Sequence, residues 1–313
     1  MDATRRLALG ALAGLLAAPM ARAQQPASPH DRASEPAEII EHERIRRFDF
    51  GLPGGAAPWH IQVGLPAGNR PEAGWPVLYL LDGGGMFPGA WRHQEKGVGP
   101  GAVLVGIGHP GAGRLDMARR TFDFTPATAK EYLRGRDDTA TGGREALLAF
   151  IADHLMPRIQ AELTVDPARQ SLFGHSLGGL FALFALFTRP DLFSTWVAAD
   201  PSLWWNNGSQ VAEAQAFLGG VRAAGGRLAR PARLLVENSS GQGRGGAAHR
   251  DPARGSSIPA GQDLAKALAG VGDFAVYYRR FADLGHGGII DPGLADTLAF
   301  IAGTVPDGVA RAG

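Results

Sequence analysis

The stretch SLFGHSLGGLFALFAL, residues 171–186, decides the fold of this 313-residue chain. Ser171 to Phe173 predicts a short strand, and the apolar run from Leu177 to Phe187 predicts a helix. Ser176 lies between the two elements, at the centre of a G-x-S-x-G pattern. A serine on a sharp turn between a strand and a helix is typical of a nucleophile held at the edge of a sheet.

Backbone groups around Ser176 indicate what such a turn could do. Gly174 and Gly178 flank the serine, and small residues at these positions would avoid a steric clash in the turn. The N–H of Leu177, at the start of the helix, would point at a developing oxyanion. A second donor is expected from the glycine turn after an earlier strand, so the sequence predicts an oxyanion hole formed by Leu177 and Gly84.

Strands and helices alternate along the rest of the chain. The apolar run from Pro76 to Leu81 ends in glycines, and Ala102 to Ile107 is of the same type, which is typical of central strands in a parallel sheet. Apolar residues between Arg144 and Leu163 fall on one stripe of a helix. The alternation predicts an α/β fold, a three-layer sandwich with a mostly parallel central sheet. Further predicted elements are strands at 40–50, 59–65, 196–199, 234–236 and 274–281 and helices at 262–268 and 295–304.

A serine nucleophile needs a general base that follows it in the chain. His286 comes after the last predicted strand in a glycine-rich turn, which makes it the predicted base. His175 occupies the variable position of the turn around Ser176 and is predicted to be structural, and His249 lies in a glycine-rich segment.

The acid that would orient the base is less strongly indicated. Glu237 directly follows the strand at 234–236, the usual place for this carboxylate, and is the predicted acid. Asp251 and Asp283 are alternatives.

The first 23 residues are typical of an export signal. Arg5 and Arg6 precede an apolar run from Leu7 to Ala18, and a small-x-small cleavage site ends at Ala23. An ordinary signal and a twin-arginine signal both fit, and both predict a periplasmic or secreted protein. The apolar run is too short to span a bilayer comfortably, so no stable membrane insertion is expected after its removal.

Composition limits the chemistry of the remaining chain. Residues 24–36 are predicted to be a flexible leader and residues 37–313 a single domain. The chain has no cysteine, which excludes disulfides, a thiolate nucleophile and a thiolate metal site. A formal net charge of +1 argues against nucleic acid as a partner. No H-E-x-x-H or comparable motif is present, so no metal and no cofactor are expected.

Several phrases together are similar to one protein family. They resemble the esterase D/Fes-type family of α/β-hydrolases, which contains ferric-enterobactin and bacillibactin esterases. The similarity runs from Pro76 to His286 and departs from the family pattern at VENSSGQGRGG (236–246), which leaves open a Ser-His pair without a strong third member. The phrases are PVLYLLDGG (76–84), VLVGIGHP (103–110), ARRTFDFTP (118–126), LFGHSLGGLFALFAL (172–186) and ADPSLWWN (199–206).

This resemblance implies an α/β-hydrolase fold and a serine esterase that works through a Ser-His-acid triad and an acyl-enzyme. The leading substrate is a siderophore, a ferric catecholate trilactone, whose iron arrives with the substrate. Trp204 and Trp205 are then expected at the pocket wall, with a place in the core as the alternative. Arg119 and Arg120 are candidates to bind the anionic ligand, unless one of them forms a buried ion pair with Asp123.

Two other functions stay open at this stage. A general exported carboxylesterase would use the same residues on other small-molecule esters. A catalytically silent relative would only bind a ligand or partner, although Ser176 with His286 argues against it.

Overall fold

The computed structural model describes residues 35–54, 57–111, 113–133, 138–240 and 261–313. The predicted export signal, nearly all of the predicted leader, and the segment with His249 and Asp251 lie outside the described residues. Among the residues that are described, no helix is long and apolar enough to cross a membrane.

A nine-stranded sheet forms the centre of the described chain, in the order β1-β2-β4-β3-β5-β6-β7-β8-β9. The six strands from β4 to β8 in that order are parallel, and β1, β2 and β9 run antiparallel to their neighbours. The predicted α/β fold with a mostly parallel sheet is confirmed. The strands are β1 (Ile45–Phe50), β2 (Trp59–Gly64), β3 (Trp75–Leu81), β4 (Val103–Gly108), β5 (Val165–His175), β6 (Thr195–Ala199), β7 (Arg227–Asn238), β8 (Gly272–Arg280) and β9 (Ala310–Arg311).

Side chains alternate between the two faces of this sheet, and each face has its own core. Val77, Tyr79 and Leu81 of β3 point into one cluster, and Leu78 and Leu80 point into the other. Because the central strands are buried on both sides, they read as continuous apolar runs in the sequence. The α-helices are α1 (Gly83–Glu95), α2 (Met117–Phe124), α3 (Arg144–Phe150), α4 (Met156–Glu162), α5 (Leu177–Thr188), α6 (Gln210–Ala223), α7 (Gly261–Leu268) and α8 (Ile290–Ile301).

The helix predicted from Arg144 onward is present but carries a wide turn. Its apolar stripe, which includes Leu147, Ile151 and Ile159, is buried as expected. A π-helical turn at Ile151–Leu155 separates α3 from α4. Pro157 follows this turn, and because proline has no N–H, the regular α-helical hydrogen-bond pattern cannot continue through it.

Three helices were not predicted from the sequence. Helix α1 begins with three glycines and contains Pro88, residue types that disfavour a helix. Helix α6 contains Gly219 and Gly220, which disfavour it in the same way. Helix α2 matters most, because it carries Arg119 and Arg120, the candidate anion-binding residues. Both belong to this eight-residue helix, which Asp116 caps by accepting hydrogen bonds from two backbone N–H groups.

The strand order determines where a site can form. Strand β3 lies between β4, which follows it in the chain, and β5, which comes later. Connections therefore leave β3 and β5 in opposite directions, and a crevice opens at the carboxyl ends of these strands. Asp82 directly follows β3 and Ser176 directly follows β5, so both lie at this crevice.

Candidate active site

Ser176 occupies a strained backbone conformation at the tip of the turn between β5 and α5. Its φ of 61° and ψ of −117° lie in a region that non-glycine residues seldom adopt. A Cβ on Gly174 would lie 2.1 Å from the carbonyl oxygen of Gly178, so glycine is required at position 174. At Gly178 itself a Cβ would meet no atom closer than 3.5 Å. Position 178 therefore has room for a side chain, contrary to the expectation that it must be small.

His286 reaches the serine from the loop that follows β8. Its Nε2 lies 3.0 Å from the Oγ of Ser176, and its Nδ1 lies 2.7 Å from the Oδ2 of Asp200. The three side chains thus form a continuous hydrogen-bonded line. Such a line can carry a proton from the serine to the imidazole while the carboxylate fixes the ring orientation and stabilises the imidazolium.

Asp200 is held at the end of β6 by several contacts. Its second carboxylate oxygen, Oδ1, accepts hydrogen bonds from the side-chain amide of Asn238 at 3.1 Å and from the backbone N–H of Ser239 at 3.2 Å. Burial acts to raise the pKa of Asp200, but hydrogen bonds from His286, Ser239 and Asn238 and the charge of His286 outweigh it and lower the pKa. Asp200 is therefore an ionised, oriented partner for His286.

The prediction that Glu237 is the acid is wrong in this structure. The side chain of Glu237 is fully buried on the face of the sheet opposite to Asn238, which contacts Asp200. A Cβ added to Gly293 of α8 would lie 2.7 Å from the Oε2 of Glu237. Burial raises the pKa of Glu237 well above its ordinary value, and the negative charge of Asp296 adds to this. Of the two alternatives, Asp283 is exposed and Asp251 is outside the described residues.

The two predicted oxyanion donors lie at the starts of two helices. Gly84 lies in the first turn of α1 and Leu177 is the first residue of α5, positions whose N–H groups have no acceptor within their own helix. A Cβ added to Gly178 would lie 3.6 Å from the Oδ2 of Asp82, so the starts of the two helices are close to each other. Their role as oxyanion donors stays a prediction.

The structure separates the two arginines that were expected to bind an anion. Arg120 is buried and forms a bidentate ion pair with Asp82, with both N···O distances 2.9 Å. It is therefore neutralised within the protein and is not available to a ligand. Arg119 is the partly exposed member, and its guanidinium contacts the carbonyl of Ala57 at 3.0 Å and Asp123 at 3.4 Å. The expected contact with Asp123 thus belongs to Arg119, while Arg120 pairs with a carboxylate that the sequence argument did not consider.

The two tryptophans also differ. Trp205 is buried in the core, and its indole N–H donates to the hydroxyl of Thr128 at 2.9 Å. This places Trp205 in the core rather than at a pocket wall. Trp204 is half-buried and packs against the edge of the same core.

Ser202 was missed by the sequence argument. Its hydroxyl lies 3.3 Å from that of Ser176, and its backbone N–H donates to the carbonyl of Ser176 at 3.1 Å. Both Asp200 and Ser202 belong to the phrase ADPSLWWN directly after β6. A polar phrase after a buried strand next to the serine strand was the signal that could have found them.

His175, which was predicted to be structural, contacts the loop that carries His286. Its Nε2 lies 2.9 Å from the backbone carbonyl oxygen of His286, and the two ring centroids are 4.5 Å apart. The side chain is buried, which lowers its pKa to about 3, and the nearby His286 adds to this effect.

Comparison with known proteins identifies the family of this chain. A family model described as "Putative esterase" matches residues 56–227. The chain belongs to this family. Among curated members it is similar to the ferri-bacillibactin esterase BesA of Bacillus subtilis, with 41% identity over 47% of the chain and 55% of BesA. The chain therefore matches little more than half the length of that relative.

A longer alignment joins this esterase-family chain to a fungal relative. The siderophore enterobactin esterase of Emericella nidulans is 30% identical over 78% of the chain and 89% of the relative. Among solved structures, the siderophore hydrolase EstA from Aspergillus nidulans superposes with a TM-score of 0.65 and 26% identity, covering 85% of this chain and 97% of that one.

Proposed function

We propose that this protein is a serine esterase, a carboxylic ester hydrolase that uses Ser176 as nucleophile, His286 as general base and acid, and Asp200 as the orienting carboxylate. The observation that supports it is the unbroken line from the Ser176 hydroxyl through both nitrogens of His286 to Asp200. Membership of the esterase family and the names of its relatives support the same reaction.

The first half of the reaction forms an acyl-enzyme. The Oγ of Ser176 attacks the ester carbonyl carbon while its proton moves to the Nε2 of His286. The carbonyl oxygen becomes an oxyanion, for which Leu177 and Gly84 are the proposed N–H donors. When the intermediate collapses, the ester C–O bond breaks and the leaving alkoxide takes the proton from His286.

The second half releases the acid. A water molecule gives a proton to the Nε2 of His286 and attacks the acyl carbon, and collapse of this intermediate returns the proton to the Oγ of Ser176. Asp200 stays ionised throughout and stabilises the imidazolium that forms in each half. In a cyclic trilactone the first such cycle opens the ring, since the leaving alcohol is still part of the same molecule.

The substrate that we propose is a siderophore ester, with a ferric catecholate trilactone as the leading candidate. The two reported relatives are named as a ferri-bacillibactin esterase and a siderophore enterobactin esterase. Because Arg120 is paired with Asp82, recognition of the anionic ligand would depend on Arg119, with half-buried Trp204 as an aromatic contact. A general carboxylesterase acting on other esters is the alternative.

A comparison of two substrates tests this proposal. Purified protein is offered a ferric catecholate trilactone and a short p-nitrophenyl ester, and ring-opened products are followed by mass spectrometry. We expect a much higher kcat/KM for the trilactone and no activity of Ser176→Ala on either ester. Efficient hydrolysis of the p-nitrophenyl ester alone would favour the general carboxylesterase. Equal rates for wild type and Ser176→Ala would reject the serine mechanism.

We also propose that the protein is exported. The twin arginines and the apolar run within residues 1–23 support this. Cell fractionation of the full chain should place it outside the cytoplasm. Replacing Arg5 and Arg6 by lysine distinguishes the two routes, since loss of export is expected only for a twin-arginine signal.

A further inference from the structure

We propose that His175 is a positioning residue of the active site, which fixes the backbone of His286 so that its imidazole meets Ser176 and Asp200 together. This inference rests on the proposed function only in its effect on rate. Whether His175 holds the loop that carries His286 can be measured independently of any reaction.

The loop that carries His286 is rich in glycine. Gly285, Gly287 and Gly288 surround the histidine, and glycines lose more conformational freedom on ordering than any other residue. Gly287 is exposed, and a Cβ added there would meet nothing within 4 Å. Within the loop, the N–H of Gly288 donates to the carbonyl of Gly285 at 2.8 Å, and this bond leaves the carbonyl of His286 to a hydrogen bond from outside the loop.

His175 supplies such a hydrogen bond to the residue that matters. The carbonyl oxygen of His286 accepts a hydrogen bond from the Nε2–H of His175 at 2.9 Å. Another backbone contact of the loop, from the N–H of Ser240 to the carbonyl of Leu284, lies two residues earlier. The contact from His175 thus fixes the peptide at the base itself, where a small rotation would move Nε2 away from the serine.

The position of His175 is itself tightly determined. It is the last residue of β5, next to Ser176, and its side chain is buried. Its carbonyl oxygen accepts from the Nη2 of Arg120 at 3.4 Å, and Arg120 is held by Asp82 at the start of α1. One residue therefore connects the serine turn, the loop of the base and, through Arg120, the glycine turn after β3.

The charge state of His175 suits this role. Burial lowers its pKa to about 3, so the ring is neutral at the pH at which an esterase works. A neutral imidazole carries one N–H, and the carbonyl of His286 selects the tautomer with that hydrogen on Nε2. A cationic ring at a centroid distance of 4.5 Å would instead oppose protonation of His286 during acyl transfer.

Two substitutions separate the hydrogen bond from the volume of the side chain. In His175→Leu the donor is lost and a buried apolar group replaces it. In His175→Gln an amide N–H2 reaches about as far from Cβ as the Nε2 of histidine does. For His175→Leu we expect kcat to fall on the order of 10- to 100-fold with KM unchanged, since misplacing a catalytic group by about 1 Å can cost about 100-fold. His175→Gln should recover most of this loss.

Two further measurements keep the test independent of the substrate. The rate at which an organophosphate labels Ser176 should fall with kcat in His175→Leu, and hydrogen exchange of the peptide spanning 281–289 should become faster in this variant and return toward wild type in His175→Gln. Unchanged exchange in His175→Leu, or a glutamine variant no better than the leucine variant, would overturn the inference. If the wild type neither cleaves esters nor reacts with the organophosphate, the proposed function fails, and the exchange rates still decide whether His175 holds the loop.

Discussion

The carboxylate of Asp200 lies 2.7 Å from the Nδ1 of His286, although Asp200 follows β6 and not β7. Strand β6 is the direct neighbour of the serine strand β5 in the sheet. The acid, the serine and the base thus come from the ends of β6, β5 and β8. At the end of β7, Asn238 contributes by donating to the Oδ1 of Asp200.

Substitution of the two carboxylates should separate their roles. We expect Asp200→Asn to lower kcat by about 10²- to 10⁴-fold, because the imidazole loses its counter-charge and its preferred tautomer. Glu237→Gln should change kcat by less than about threefold, because Glu237 is fully buried beside Gly293 and the carboxylate on His286 is that of Asp200. Steady-state kinetics on a p-nitrophenyl ester measure both. A large loss of kcat in Glu237→Gln together with a small loss in Asp200→Asn would contradict the assignment of Asp200 as the acid.

The alternation of side chains along a strand explains why the sequence favoured the wrong carboxylate. Glu237 is level with Ala199 in the pairing of β6 with β7, so the residue level with Asp200 is Asn238. A shift of one residue turns a side chain to the other face of the sheet. The sequence places both carboxylates at the ends of adjacent strands, but the register that decides between them exists only in the folded sheet.

The placement of Ser176 beside His286 could be predicted because it depends on local patterns. The turn around Ser176 follows from the succession of strand, glycines and helix, and His286 follows from its place after the last strand. The partner of Arg120 could not be predicted in this way, since Asp82 is 38 residues away and approaches it only because β3 and β4 are neighbours. Contacts across the sheet require the strand order.

The serine itself should be replaceable without unfolding the protein. We expect Ser176→Ala to lose at least about 10⁴-fold in kcat and to keep its fold, since alanine has the same Cβ at this strained position. Circular dichroism and thermal unfolding monitor the fold, and mass spectrometry after organophosphate treatment should show an adduct in the wild type alone. Retention of more than about a hundredth of the wild-type rate would show that another residue is the nucleophile.

The buried carboxyl of Glu237 should make stability depend on pH. Because burial and the charge of Asp296 raise its pKa above the ordinary value of 4.5, its contribution to stability is complete below that value and is lost as pH rises through the folded-state pKa. Glu237→Gln stays neutral at every pH. We therefore expect the Tm of the variant, relative to wild type, to increase as the pH rises from 4.5 through the folded-state pKa of Glu237. A difference in Tm that is constant over this range would mean that Glu237 does not titrate on unfolding.

The pair of Arg120 with Asp82 predicts a loss of stability rather than a loss of anion binding. Their side chains are only 5% and 2% exposed, so Arg120→Ala leaves a buried carboxylate without its partner. Removing one member of such a pair costs about 3–5 kcal/mol. Urea unfolding should report this loss, and kcat should fall equally on the ferric trilactone and on a neutral ester, because Asp82 lies beside the start of α5.

Arg119→Ala is the matched control, because the side chain of Arg119 is 22% exposed. This variant should lose little stability and should raise KM for the anionic substrate alone. If Arg120→Ala instead raised KM for the ferric trilactone alone and left urea unfolding unchanged, Arg120 would be a substrate-binding residue.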